Sequence, residues 1–313
     1  MGKSDFPPRC EKFDARVHIK NVFIFQLDNC GSFDNLAPLL PNDKFNFLAI
    51  DLLGHGFSSH YPPGMLYRFA DSFMVIRYVK EHMKWDNFSF LSHSLGGIIS
   101  TWYAAIFPEE VNRVISLDIV SVSPTKLNKQ VQTTRKAVLS GIETFDKLSG
   151  NHEVPTYSYI DAVARAFMAN QFHGVEYPIT QEAVETLMKR GLRKVDEDKY
   201  TWTADLRLRI PATFNPLEEQ VEQYSSNVKC PMMIIKASGS HYYMKEEMAK
   251  RIINVYKNHN PNFEIHNVIG GHHIHMTEPE KVIGLINDFL LKTDFVPPDE
   301  ELLKRDNIPM DLF

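Results

Sequence analysis

The sequence predicts an α/β protein: a mostly parallel sheet with helices on both faces and a helical cap inserted into it. Three observations predict it. Short apolar runs alternate with longer helical patterns along most of the chain. The alternation fails once, between residues 120 and 228, where only helical patterns can be read. One apolar run ends in a serine turn that opens into a helix beginning with two glycines.

Strands are expected over residues 22–26, 45–51, 88–92, 114–119, 232–237 and 263–268. Helices are expected over 71–84, 96–107, 245–258 and 279–291. Pro108 ends the second of these, because proline cannot continue a helical hydrogen-bond ladder. Within the interruption, helical stretches are expected near 127–148, 157–171, 181–190 and 217–225. Structureless loops of that length are rare, so the segment reads as a cap, and caps at the carboxyl ends of strands cover ligand crevices. The expected organisation is a core of residues 17–120 and 229–292, a cap of 121–228 and a C-terminal extension of 293–313.

Composition narrows the function classes. With 313 residues, 43% hydrophobic and 23% charged, the chain can bury a large core without disulfides. A net charge of -5 offers no basic field for nucleic acid. No apolar run approaches the roughly 18–20 residues of a membrane span. Residues 1–10 are polar and proline-containing, unlike a secretory signal, and residues 310–313 carry neither a peroxisomal nor a prenylation signal. Cys10, Cys30 and Cys230 are too few and too scattered for a disulfide framework or a zinc cage. The expected setting is therefore cytoplasmic and reducing.

The serine turn carries the chemistry. In Ser92-His93-Ser94-Leu95-Gly96 a strand ends, a tight turn follows and a helix begins, the context that a G-x-S-x-G nucleophile elbow demands. Ser92 stands where the first glycine belongs, and serine is small enough for the turn. A serine nucleophile needs a base and an orienting acid. The base candidate is His272, directly after Gly270-Gly271 and between the last strand and the last helix, with His273 and His275 as competitors. The His-x-His pair lacks a third metal ligand at matching spacing, so neither metal nor cofactor is expected. No carboxylate follows the 232–237 run before Glu246; Asp118, at the end of the preceding apolar strand, is the acid candidate. The alternative for Asp118 is a structural aspartate capping the loop into the insertion.

Other features have plainer readings. Asp51-x-x-Gly54-x-Gly56-x-Ser58 does not have G-x-G-x-x-G spacing and reads as turn geometry beside the nucleophile. His55 and His93 read as structural donors, and Lys126, Lys129, Arg135 and Lys136 as a solvated helix face.

Together these residues resemble the α/β-hydrolase superfamily and, more closely, the serine hydrolase-like proteins that include the Kraken-type insect hydrolases. The resemblance runs from about residue 21 to 291 and rests on three blocks: residues 27–41, beginning Leu27-Asp28-Asn29; residues 51–60 with Pro62-Pro63-Gly64; and residues 272–280. The elbow and Lys189-Arg190-Gly191 also match. The resemblance implies Ser94 as nucleophile, His272 as base and Asp118 as acid. It also implies an oxyanion hole formed by the backbone amides of Leu95 and Gln26. Two departures stand out. Ile24-Phe25-Gln26 replaces the family's His-Gly-Trp, and residues 1–16 do not read as the hairpin that usually precedes the first core strand.

The activity this implies is cofactor-free hydrolysis of a small or medium hydrophobic carboxylic ester or related acyl compound. One rival reading is a homologue that has lost turnover and binds small molecules, which Phe25 and Ser92 favour. The other is hydrolysis of halides or epoxides, which uses a carboxylate nucleophile and is opposed by Ser94.

Overall fold

A computed structural model describes residues 20–25, 28–149, 154–171, 176–213 and 215–297. Its frame is set by six strands: β1 (Lys20–Phe25), β2 (Phe45–Ala49), β3 (Phe88–His93), β4 (Val111–Leu117), β7 (Met232–Ala237) and β8 (Phe263–Val268). They form one sheet in the order β2-β1-β3-β4-β7-β8, and every pairing is parallel. The inner strands β3, β4 and β7 are buried along almost their whole length, as in a parallel sheet covered on both faces, whereas the edge strands β2 and β8 are only partly buried and mix polar with apolar residues.

Helices cover both faces. Phe23, Phe90, Val114 and Ile234 share a core with α1 (Asp71–Met83), α2 (Leu95–Ile106), α6 (Glu218–Ser226) and α7 (Glu246–His259). Their neighbours Ile24, Leu91, Ile115 and Ile235 point the other way, onto α8 (Ile274–Thr277) and α9 (Glu280–Leu291). The buried Arg113 closes the end of α9, donating from Nη1 to the carbonyls of Phe289 (2.6 Å) and Leu290 (2.7 Å).

Between β4 and β7 the chain leaves the sheet. It forms α3 (Gln130–Ser149), α4 (Tyr159–Asn170) and α5 (Gln181–Gly191) before α6. One expectation fails here. Residues 120–228 are not strand-free, because β5 (Leu192–Asp196) and β6 (Lys199–Trp202) pair as an antiparallel hairpin. In β5 only Leu192 is buried and the four residues after it are exposed, so no apolar alternation marks the strand. The insertion has its own small core of Ala162, Val163, Val184 and Leu187, closed by Met276 from α8.

Asp51 fastens the insertion to the sheet. Its carboxylate accepts from the Arg190 guanidinium at the end of α5 (Nη2, 2.6 Å) and from the amides of Cys30 (2.7 Å) and Phe57 (2.8 Å). Gly56, at φ 50°, lies so close to this carboxylate that an added Cβ would fall 2.1 Å from it. The Gly54-x-Gly56 spacing thus serves a turn wrapped around Asp51.

Candidate active site

Ser94 sits between the last residue of β3 and the first of α2, at φ 53° and ψ -124°. Such a conformation costs on the order of 1–3 kcal/mol in a non-glycine residue and persists only when its surroundings enforce it. Here they do: the Ser94 amide donates to Leu117 O (3.1 Å), and its carbonyl accepts from Gly97 N (2.9 Å). Gly97 lets α2 come this close to β4, since a Cβ there would stand 2.3 Å from Ile119 and 2.4 Å from Ser116 Oγ. Ser92, in the glycine position of the elbow, is fully buried, and its hydroxyl lies 2.6 Å from that of Ser100 on α2. The pair satisfies what would otherwise be a costly buried hydroxyl.

Asp118 follows β4 directly and also has a positive φ of 56°. Of the four non-glycine residues with positive φ among the described residues, Ser94, Asp118 and Tyr243 gather here; the fourth, Lys84, ends α1. Asp118 Oδ2 lies 2.6 Å from His272 Nδ1, and His272 Nε2 lies 3.1 Å from Ser94 Oγ. A carboxylate only accepts, so Nδ1 carries the proton and Nε2 is the acceptor that faces the serine hydroxyl. Asp118 is fully buried and His272 is 4% exposed, so water does not compete for either bond. The structure therefore brings Ser94, His272 and Asp118 together in one chain of hydrogen bonds.

It is His272, not its competitors, that reaches Ser94. The His273 ring stands 5.0 Å from the His272 ring. His275 is fully buried between Phe33 and His93, and neither of its ring nitrogens has a hydrogen-bond partner among the described residues. Burial, with a smaller contribution from His272, pushes the His275 imidazole down to about 3. His93 donates its Nε2–H to the carbonyl of His272 (2.8 Å) and so fixes the backbone that carries the base. Burial, reinforced by the neighbouring imidazoles, holds His93 well below the ordinary histidine range. Among the described residues no group of three or more His, Cys, Asp or Glu side chains is placed to hold a metal ion.

Leu95 opens α2, and the first amides of a helix have no acceptor within it. Gln26 lies outside the described residues. The Leu95 side chain lines a cleft of about 180 Å³, together with Leu53, Phe69, Ile99, Leu208 and Ile210. This cleft lies where α2, the turn after β2 and the insertion meet.

Sequence reasoning missed one residue of the site. Lys236, 3% exposed on β7, donates to Asp118 Oδ1 (2.7 Å) and to the carbonyls of Ala237 and Ser240 (2.8 Å each). The signal was present: a lysine interrupts the otherwise apolar run Met-Met-Ile-Ile-Lys-Ala.

A family model described as alpha/beta hydrolase fold matches residues 27–158. A serine hydrolase-like protein of Danio rerio is 32% identical over 84% of this chain and 78% of its own. A probable serine hydrolase of Drosophila melanogaster shows the same identity and coverage. Among solved structures, a hypothetical protein of Pseudomonas aeruginosa PAO1 superposes with a TM-score of 0.73 at 27% identity, covering 88% of this chain and 92% of its own. The thioesterase domain from the curacin biosynthetic pathway superposes at 0.67 with 18% identity, covering 86% and 91%, which is a likeness of fold alone.

Proposed function

Because the chain belongs to the serine hydrolase-like family of the α/β-hydrolase fold, we propose that it cleaves small or medium hydrophobic carboxylic esters or related acyl compounds through an acyl-enzyme. The observation that carries this is the unbroken path from Asp118 to His272 to Ser94, with bonds of 2.6 and 3.1 Å.

Ser94 Oγ attacks the acyl carbonyl while its proton passes to His272 Nε2. The tetrahedral oxyanion is held by the backbone amides of Leu95 and Gln26. Collapse expels the alcohol, which takes the proton from His272. Water then attacks the acyl-serine, giving its proton to the same nitrogen, and the carboxylic acid leaves as Ser94 recovers its hydrogen. Asp118 holds the Nδ1–H tautomer and stabilises the imidazolium formed in each half.

Residues 121–228 serve as a cap. Leu208 and Ile210 bring apolar side chains from this segment to the cleft beside Leu95. His55, Tyr67, Arg68, Asp71, Ser72 and Arg207 also line this cleft, and its small volume favours short to medium acyl chains over long ones.

The test is hydrolysis of p-nitrophenyl acetate, butyrate, octanoate and palmitate by the protein and by Ser94→Ala. The expected result is turnover that falls off toward palmitate and vanishes in Ser94→Ala. Equal rates in the variant would remove the nucleophile assignment. Folded protein that binds these esters without cleaving any of them would make the chain a binding homologue.

A further inference from the structure

The triad acid is not shared by two groups but by three. Asp118 Oδ1 accepts from the Ala237 amide (2.8 Å) and from Lys236 Nζ (2.7 Å), while Oδ2 serves His272. An ammonium has three donors, and those of Lys236 meet three atoms that only accept: Asp118 Oδ1, Ala237 O and Ser240 O. A neutral amine would turn its lone pair on one of them, so this geometry requires the charged form. A cation is thus locked on the far side of the carboxylate that orients the base.

We propose that Lys236 is a positioning residue for the reaction, fixing the Asp118 carboxylate in the orientation that serves His272 and offsetting part of its charge at the imidazole. This rests on the triad reading above. Asp118 stands at a strained φ of 56° after the last ladder residue of β4, so its side chain needs a hold from β7. Lys236 and Ala237 supply it from the end of that strand. The consequence for the base is electrostatic. A carboxylate paired only with an imidazole favours imidazolium, and a second cation on the same carboxylate reduces that preference. Lys236 therefore offsets part of the negative charge that Asp118 presents to His272.

Among the described residues, Lys236 is the fixed positive charge bonded to Asp118. Tyr242 places its ring 5.2 Å from Lys236 Nζ. His272 faces Ser94, the His93 ring at 4.4 Å, the His273 ring at 5.0 Å and the Tyr243 ring at 4.7 Å. Asp28 and His275 lie within electrostatic range of it. His93 and His275 are held neutral by burial.

The experiment follows the rate of Ser94 modification by a fluorophosphonate across pH in the parent, Lys236→Gln, Lys236→Met and Lys236→Arg. In the Gln and Met variants the acid limb of the profile should move up by about one pH unit, a shift of the size one nearby charge produces. In Lys236→Arg, which keeps the charge, the limb should stay in place. Gln and Met variants that fold, melt lower and keep the parent limb would show a merely structural lysine and overturn the proposal. So would a limb displaced in Lys236→Arg.

A measurement on the parent alone covers the case in which the neutral variants do not fold. The 15N resonance of Lys236 Nζ should titrate with the same midpoint as the His272 ring, because both hold one carboxylate. A flat lysine resonance across the His272 transition would overturn the proposal. That readout does not need a reactive serine, so failure of Ser94 to react counts against the hydrolase reading and not against the lysine.

Discussion

Two buried aspartates of this protein have nearly the same surroundings and do different work. Asp51 and Asp118 each lie just past the end of a parallel strand, and each accepts from two donors besides one further partner: the Cys30 and Phe57 amides at Asp51, the Ala237 amide and Lys236 Nζ at Asp118. They differ in the remaining partner. At Asp51 the guanidinium of Arg190 takes the remaining acceptor positions, bonding through both Nε and Nη2, and packs over the Phe57 ring at 4.3 Å. At Asp118 an imidazole takes the second oxygen, and its far nitrogen reaches a serine hydroxyl. A guanidinium does not give up its proton and an imidazole does so near neutrality. The first constellation fastens the insertion to the sheet. The second can move a proton.

The comparison breaks most visibly if the third partners are removed. His272→Ala should lower ester hydrolysis per folded molecule by about 10⁴ or more, the scale of losing a triad base. Arg190→Ala should leave it within about tenfold, since it touches no reacting atom. Steady-state rates corrected for the folded fraction distinguish the two, and similar losses would mean that the Asp51 constellation is also part of the chemistry.

Stability should respond in the opposite sense. Asp51→Ala leaves Arg190 and two amides without their acceptor and should cost about 3 kcal/mol, the scale of breaking a buried pair. Urea unfolding measures this, and Arg190→Lys should fall between Asp51→Ala and the parent. Burial alone would raise the Asp51 carboxyl, but the bonds from Arg190, Cys30 and Phe57 hold it below the usual carboxylate range. A depressed carboxylate contributes stability above its unfolded value and loses it as pH falls through the folded one.

A smaller effect is set by pH at His275, outside both constellations. His275 is pushed down to about 3 from 6.5, so the unfolded chain binds a proton there that the folded chain refuses. Stability is then complete above about pH 6.5 and falls as pH drops below it, well before the carboxylates titrate. Melting temperatures from pH 7 down to about pH 5 should show this slope in the parent and a flatter one in His275→Leu. Equal slopes would contradict a buried neutral histidine. The smallest change expected is Ser92→Gly, which restores the usual elbow glycine and removes the bond to Ser100. It should alter stability by about 1 kcal/mol or less and leave Ser94 reactive.

Legibility in the sequence followed burial. All six strands of the sheet were placed from the sequence, the buried inner ones most plainly, and 232–237 and 263–268 match their observed bounds. The four helices of the insertion were visible by their periodicity, whereas its hairpin was not, because four of the five residues of β5 face solvent. Asp118 was legible as a carboxylate closing an apolar strand, even though the strand after it carries no acid. Lys236 was not singled out, although the same logic applies: a charge within a buried run needs a partner of opposite sign, and here the two are each other's. Ser92 looked like damage to the elbow in one dimension. In three it has Ser100 opposite, a relation between a strand and the next helix that spacing does not display.

The most direct test of the account is the rate at which a fluorophosphonate modifies Ser94, followed by peptide mass spectrometry in the parent, Asp51→Asn and Asp118→Asn. Rates are taken per folded molecule, since both variants lose stability. The parent and Asp51→Asn should label at Ser94 at comparable rates, and Asp118→Asn should be slower by about 10² or more. Equal rates in all three, or modification of folded parent at a serine other than Ser94, would contradict it.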